Sequence, residues 1–232
     1  MSDIIFGKNS FIEALNNKRI KKAYLLSNSS FIKQLDREKI KYEIVTKNKL
    51  DGLTRNGNHQ GLVAEVYEYK TYEVDEMLKE KDGLIIVLDG LKDPHNLGAI
   101  IRTCECAGVD GIIYKKHNSV HLNDTVAKVA SGALEYVKVA EVTNLVNTLK
   151  KLKEHNYWIV GTDGNAKDLY DKIDYNMNTV IVIGSEGEGI SRLVKEECDF
   201  VVKMPMKGKI NSLNASVAAG IMIYNVLSYR HK

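Results

Sequence analysis

Three short stretches of this sequence place hydrogen-bonding side chains and glycines at the ends of apolar runs, where open α/β sheets expose their chemistry. The first is Asp93-Pro94-His95-Asn96-Leu97-Gly98, with Arg102 following it. Leu97, Ile100, Ile101 and Cys104 fall at helical spacing, so they predict a buried stripe with Arg102 on the opposite side. Asn96 is placed as the helix N-cap. A helix start is electropositive, and with Arg102 it could hold an anion such as a phosphate, with Gly98 admitting close approach. A capped helix carrying a solvated arginine is the plainer reading.

The second stretch, Ile183-Gly184-Ser185-Glu186-Gly187-Glu188-Gly189, follows the strand-like run Val180–Ile183. A dinucleotide fingerprint fails because Arg192 stands where a third glycine is required. A Walker loop fails because no Gly-Lys-Ser/Thr follows. A glycine turn bearing Glu186 suits a cation or a hydroxyl better than a triphosphate. The third stretch is Asn211-Ser212-Leu213-Asn214-Ala215-Ser216, after a strand that Pro205 ends and a basic turn, Lys207-Gly208-Lys209. Ser212 and Asn214 offer small polar groups at a helix start. The helix after them is apolar on nearly every side, which a deep core or a subunit interface would each satisfy. Cys104 and Cys106 lie two apart on a predicted helix and point apart, so free thiols are expected there. The six histidines show no zinc spacing, and no metal is expected.

The elements that must position these groups fall into two sets. Residues 1–72 read as a small α/β unit with helices over Gly7–Asn17, after Ser29 or Ser30, and over Lys47–Leu53. Its strands are expected over Ala23–Leu26, Tyr42–Thr46 and Leu62–Tyr69. Arg55-Asn56-Gly57-Asn58-His59-Gln60-Gly61 is a polar loop. Residues 73–82 are charged and read as a linker. From residue 83 to 232, strands and helices alternate, which predicts a mostly parallel sheet covered on both faces. Strands are expected over Leu84–Leu88, Gly111–Tyr114, Tyr136–Ala140, Tyr157–Gly161, Thr179–Ile183 and Phe200–Met204. Helices are expected over Asn96–Gly108, Asn123–Ala130, Thr143–His155 and Leu213–Tyr229.

The net charge of +3 says little, but residues 1–70 carry 13 Lys/Arg against 8 Asp/Glu. That excess favours contact with a polyanion. The start, Met1-Ser2-Asp3, shows no secretory signal pattern, and the apolar runs are too short to cross a bilayer. Three cysteines do not suggest a disulfide framework, so a cytoplasmic setting is expected.

Together the three stretches resemble the motifs of the SpoU/TrmH class of RNA 2′-O-ribose methyltransferases, in the SPOUT superfamily. Within it the likeness is greatest to the bacterial 23S rRNA guanosine enzymes, through Leu88-Asp89-Gly90 to Arg102, Gly184 to Gly189, and Ser212-Leu213-Asn214. The resemblance covers nearly the whole chain. It implies an α/β SPOUT domain with a C-terminal trefoil knot, behind a small substrate-binding domain of the ribosomal protein L30e type ending at His59-Gln60-Gly61. It implies S-adenosyl-L-methionine as cofactor, held by Gly184, Met204 and Leu213, and a catalytic set of Asn96, Arg102, Glu186, Ser212 and Asn214. The implied partners are RNA, most specifically 23S rRNA with tRNA as the alternative, and a second copy of the chain as a homodimer, with no membrane or DNA. An arginine is not deprotonated in proteins, so Arg102 is read as holding a phosphate and steadying alkoxide charge. Glu186 is read as orienting Arg102 or Asn96. A catalytically silent RNA-binding assembly factor would share the fold.

Overall fold

Alternation of apolar residues with period two sets the small N-terminal sheet. The computed structural model describes residues 3–231, and the chain divides after Tyr69 into two units. The first runs β1 (Asp3–Phe6), α1 (Lys8–Asn16), β2 (Ile20–Leu25), α2 (Ile32–Arg37), β3 (Lys41–Ile44), α3 (Lys47–Thr54) and β4 (Leu62–Val66). The strand order is β1-β4-β2-β3, with only the β2–β3 pair parallel. On β4, Leu62, Ala64 and Val66 face one apolar cluster with Phe11 and Leu35, while Val63 faces another with Tyr24 and Leu50. Strand β1 was not foreseen; four residues give too little periodicity to register.

The second unit runs β5 (Leu84–Asp89), α4 (Pro94–Cys106), β6 (Gly111–Lys115), α5 (Asp124–Ala130), β7 (Val139–Val142), α6 (Leu145–Glu154), β8 (Trp158–Thr162), β9 (Asp168–Leu169), β10 (Thr179–Gly184), α7 (Arg192–Glu196), β11 (Phe200–Lys203) and α8 (Ala215–Arg230). Its strands pair in the order β7-β6-β5-β10-β8-β11-β9, every pairing parallel. All six residues of β5 are buried, as a strand covered on both faces requires. Leu84, Ile86 and Leu88 face a cluster holding α4, α5 and α8, while Ile85 and Val87 face one holding α6 and α7. Strand order reverses beside β5 and β10, and the crevice at the carboxyl ends of strands is where such sheets take ligands.

Several expectations need correction. The segment expected as a linker over 73–82 belongs to the second unit: Val74–Met77 forms a 3-10 turn, and Met77 is buried against β5. One buried methionine outweighs the charged residues around it. Asn96 is not the helix N-cap. Asp93 is, accepting from the His95 backbone N–H at 2.9 Å, with Pro94 in the first turn where a missing N–H costs nothing. Gly98 serves packing rather than ligand approach, since a Cβ there would lie 2.7 Å from Val129 Cβ and 2.8 Å from the Val126 carbonyl oxygen. The strand expected over 136–140 starts at Val139, behind a 3-10 turn over Ala133–Glu135.

Helix α8 is anchored at both ends. At its start, Asn214 Oδ1 caps the backbone N–H groups of Ser216 and Val217 at 3.0 and 3.3 Å. At its finish the Arg230 guanidinium donates to the carbonyls of Tyr175 (3.0 Å), Asp82 (2.7 Å), Gly83 (3.1 Å) and Met177 (2.7 Å). Ala219, Met222, Ile223 and Val226 are buried. The helix is not enclosed all round, because Val217 and Tyr224 are each 50% exposed. Among the described residues no helix is long and apolar enough to cross a membrane.

Candidate active site

Gly184 closes β10, and the chain turns back on it at once. Ser185 and Gly189 exchange backbone hydrogen bonds at 3.1 and 3.0 Å, closing a tight loop over Gly184. A Cβ on Gly184 would stand 2.0 Å from the Gly189 carbonyl carbon, so only glycine fits. Gly187 and Gly189 take φ of 102° and 70°, a region side chains avoid. Asp89, buried at the end of β5, braces this turn by accepting from the Ser191 backbone N–H at 2.7 Å.

Beside the turn lies a cavity of about 350 Å³. Gly184, Glu186, Ser212 and Leu213 line it, and so does a fourth segment, Thr162-Asp163-Gly164-Asn165, at the carboxyl end of β8. The sequence carried a signal for that segment, an Asp-Gly-Asn turn directly after an apolar strand. Asp163 accepts from the Asn165 backbone N–H at 2.7 Å and from Lys195. The Lys195 hydrogen bond, helped by the Asn165 N–H, holds its carboxyl below the usual carboxylate range. With Glu186 and Glu188 also on the wall, the cavity favours a cation over an anionic nucleotide.

At the cavity's edge three side chains from separate segments join. Asn96 is buried, 6% exposed, in the first turn of α4. Its Nδ2 donates to Glu186 Oε1. Its Oδ1 accepts from Asn214 Nδ2 at 2.9 Å. Asn214 Oδ1 is filled by the Ser216 hydroxyl at 2.6 Å and the two cap amides. The amide orientations of both asparagines are therefore fixed by partners on either side. Ser212 is exposed on the cavity wall. Arg102 is exposed on α4, away from the buried stripe, and makes no hydrogen bond or ion pair among the described residues. Met204 is not brought to the cavity: it follows β11 and packs, half-buried, against the core beneath α4 and α8. Cys104 is buried and Cys106 exposed, as their helical positions require. Among the described residues no group of three or more His, Cys, Asp or Glu is placed to hold a metal.

An all-parallel sheet with a glycine-walled cavity at its strand ends and a locked asparagine pair beside it marks an α/β domain with a candidate small-molecule site. The chain belongs to the SpoU rRNA methylase family, whose model matches residues 83–224. A second model, for RNA 2′-O ribose methyltransferase substrate binding, matches residues 4–72. The chain is 42% identical over 241 residues to YacO of Bacillus subtilis (strain 168), named for the TrmH family of tRNA/rRNA methyltransferases, covering 99% of this chain and 96% of that one. Among solved structures, the SpoU methyltransferase AviRb from Streptomyces viridochromogenes, in complex with AdoMet, aligns with a TM-score of 0.75 at 22% identity, over 100% of this chain and 91% of that chain. The A. aeolicus TrmH/SpoU tRNA modifying enzyme aligns with a TM-score of 0.60 at 32% identity, over 67% of this chain and 80% of that chain.

Proposed function

We propose that this chain methylates the ribose 2′-oxygen of an RNA nucleotide, a guanosine of 23S rRNA, using S-adenosyl-L-methionine. The observation that carries the reading is the locked series Glu186–Asn96–Asn214 at the rim of an acid-lined cavity. The cavity fits the cofactor's chemistry: about 350 Å³ lies within the range of ligand pockets, the Glu186 and Glu188 carboxylates on its wall suit a cationic group, and Gly184 and Leu213 line it. When bound, the cofactor supplies a methyl group already activated on sulfonium.

The protein's task is alignment and charge control. Ser212 and Asn214 set the ribose, and Asn96 fixes Asn214 because its own amide is held by Glu186. Glu186 thus orients Asn96 rather than Arg102. Arg102, a permanent cation without a hydrogen bond or ion pair among the described residues, holds the RNA phosphate and steadies the oxygen as its proton leaves. The N-terminal unit selects the RNA through phosphate and unpaired-base contacts. The exposed α8 face, Val217 and Tyr224, is read as the homodimer contact. The likeness to SPOUT enzymes supports reading the C-terminal segment as threading a loop to form a trefoil knot.

Labelled S-adenosylmethionine incubated with unmodified 23S rRNA and with tRNA tests the reading. Label in 2′-O-methylguanosine from rRNA is the expected result. Label in tRNA alone corrects the substrate; label in a base-methylated nucleoside, or in none, overturns the chemistry.

A further inference from the structure

The His59-Gln60-Gly61 end of the polar loop in the first unit is built at a cost. Arg55, Asn56 and Gln60 take φ of 53°, 62° and 51°, with Gly61 at 78°. Non-glycine residues in this region persist only where their surroundings over-determine them. The brace is His59, buried at 6% exposure. Its Nδ1 accepts the Gly61 backbone N–H at 2.9 Å, so Nε2 carries the ring proton and donates to Asp51 Oδ1 on α3 at 3.0 Å.

The product of this arrangement is a fixed Gln60. Its Oε1 accepts from the Lys8 backbone N–H at 2.9 Å, which leaves its NH₂ without a hydrogen bond among the described residues. That side chain lines a cavity of about 240 Å³. Asn28 and Ser30 add an amide and a hydroxyl to the same wall, and the half-buried Leu26 and Phe31 add apolar carbon.

We propose that this cavity receives an unpaired RNA base and reads its edge. Apolar carbon takes the ring face, while the Gln60 NH₂, the Asn28 amide and the Ser30 hydroxyl match donors and acceptors of a Watson–Crick edge. The excess of Lys/Arg over Asp/Glu in residues 1–70, 13 against 8, draws the backbone to this unit. The inference rests on the RNA-methylation reading and names where the substrate is selected.

The test uses the full chain and fluorescein-labelled ten-nucleotide oligo(rA), oligo(rC) and oligo(rU), with affinity read by anisotropy at several salt concentrations. Wild type should prefer one base by about fivefold or more, the scale of a single hydrogen bond. Gln60→Ala should collapse that spread while leaving the salt slope unchanged. Gln60→Asn, which suits left-handed backbone and withdraws the amide from the cavity, should do the same. Equal binding of all three oligomers by wild type, or a spread that survives in both variants, overturns the proposal. Cofactor affinity by calorimetry and methyl incorporation into unmodified rRNA are measured in parallel. Methylation without base preference sinks the pocket alone; base preference without methylation sinks the catalytic reading alone.

Discussion

Asn214 donates its side-chain amide to Asn96 Oδ1 at 2.9 Å, tying the cap of the last helix to the first turn of α4 across 118 residues of chain. Asn96→Asp keeps the shape but removes the donor to Glu186 and sets two carboxylates together. Single-turnover methyl transfer should fall about 100-fold, the cost of losing one positioned polar group. Cofactor affinity should hold, because Asn96 does not line the cavity.

Gly184→Ala tests the turn. The added methyl group would collide with backbone, not with a side chain that can swing away. Overpacking of this kind costs about 1–3 kcal/mol, and the part borne by the turn should appear in calorimetry as cofactor affinity weakened by about 10-fold or more. Unchanged affinity would mean that the turn does not shape the cofactor site.

Arg102→Lys retains a cation but loses the planar fork that grips phosphate with two parallel bonds. Turnover should drop by about 100-fold with cofactor affinity intact. Equal loss of both would contradict the division of labour between Arg102 and the cavity.

Asp163 links site and stability. Its carboxyl lies below the ordinary value of 3.8, first through Lys195 and then through the Asn165 N–H. A depressed folded value means that its stabilising contribution is complete above about pH 4 and is lost as pH falls through the folded value. Thermal melting of wild type should therefore decline more steeply below about pH 4 than melting of Asp163→Asn, and the two curves should converge in acid. Parallel curves would show that the Lys195 contact is absent in solution.

The exposed face of α8 predicts oligomeric state. Val217→Asp with Tyr224→Asp places charge on two positions that are each half exposed, so the monomer should fold while light scattering shows its mass halved relative to wild type. A dimeric variant would locate the contact elsewhere.

The legible parts of this fold are those where burial on both faces leaves an unbroken apolar run, as in Leu84–Leu88 and Val180–Ile183. The capping error at Asn96 had its remedy in the sequence, since Asp93-Pro94 is itself a helix-start signature. Strands β1 and β9 are short, and α7 spans five residues; such pieces owe their form to neighbours rather than to propensity. Residues 73–82 look like a linker because nine exposed or half-exposed side chains mask the one that matters, Met77. The Asp163 turn escaped notice because strand β8 reaches the cavity only through its pairing with β10. Resemblance supplied the proposed catalytic set, but it could not say that Glu186 meets Asn96 and not Arg102. That distinction depends on side-chain geometry, which no spacing encodes.

The four carbonyls gathered by Arg230 give α8 a fixed foot, and its sixteen residues carry that fixity about 24 Å to Asn214. The polar trio is thus tied to a helix whose other end is fixed at the amino ends of β5 and β10, in the middle of the sheet. Loosening the tail, by proteolysis or by substitution of one remote arginine, would slacken the reaction centre without touching a single atom in it.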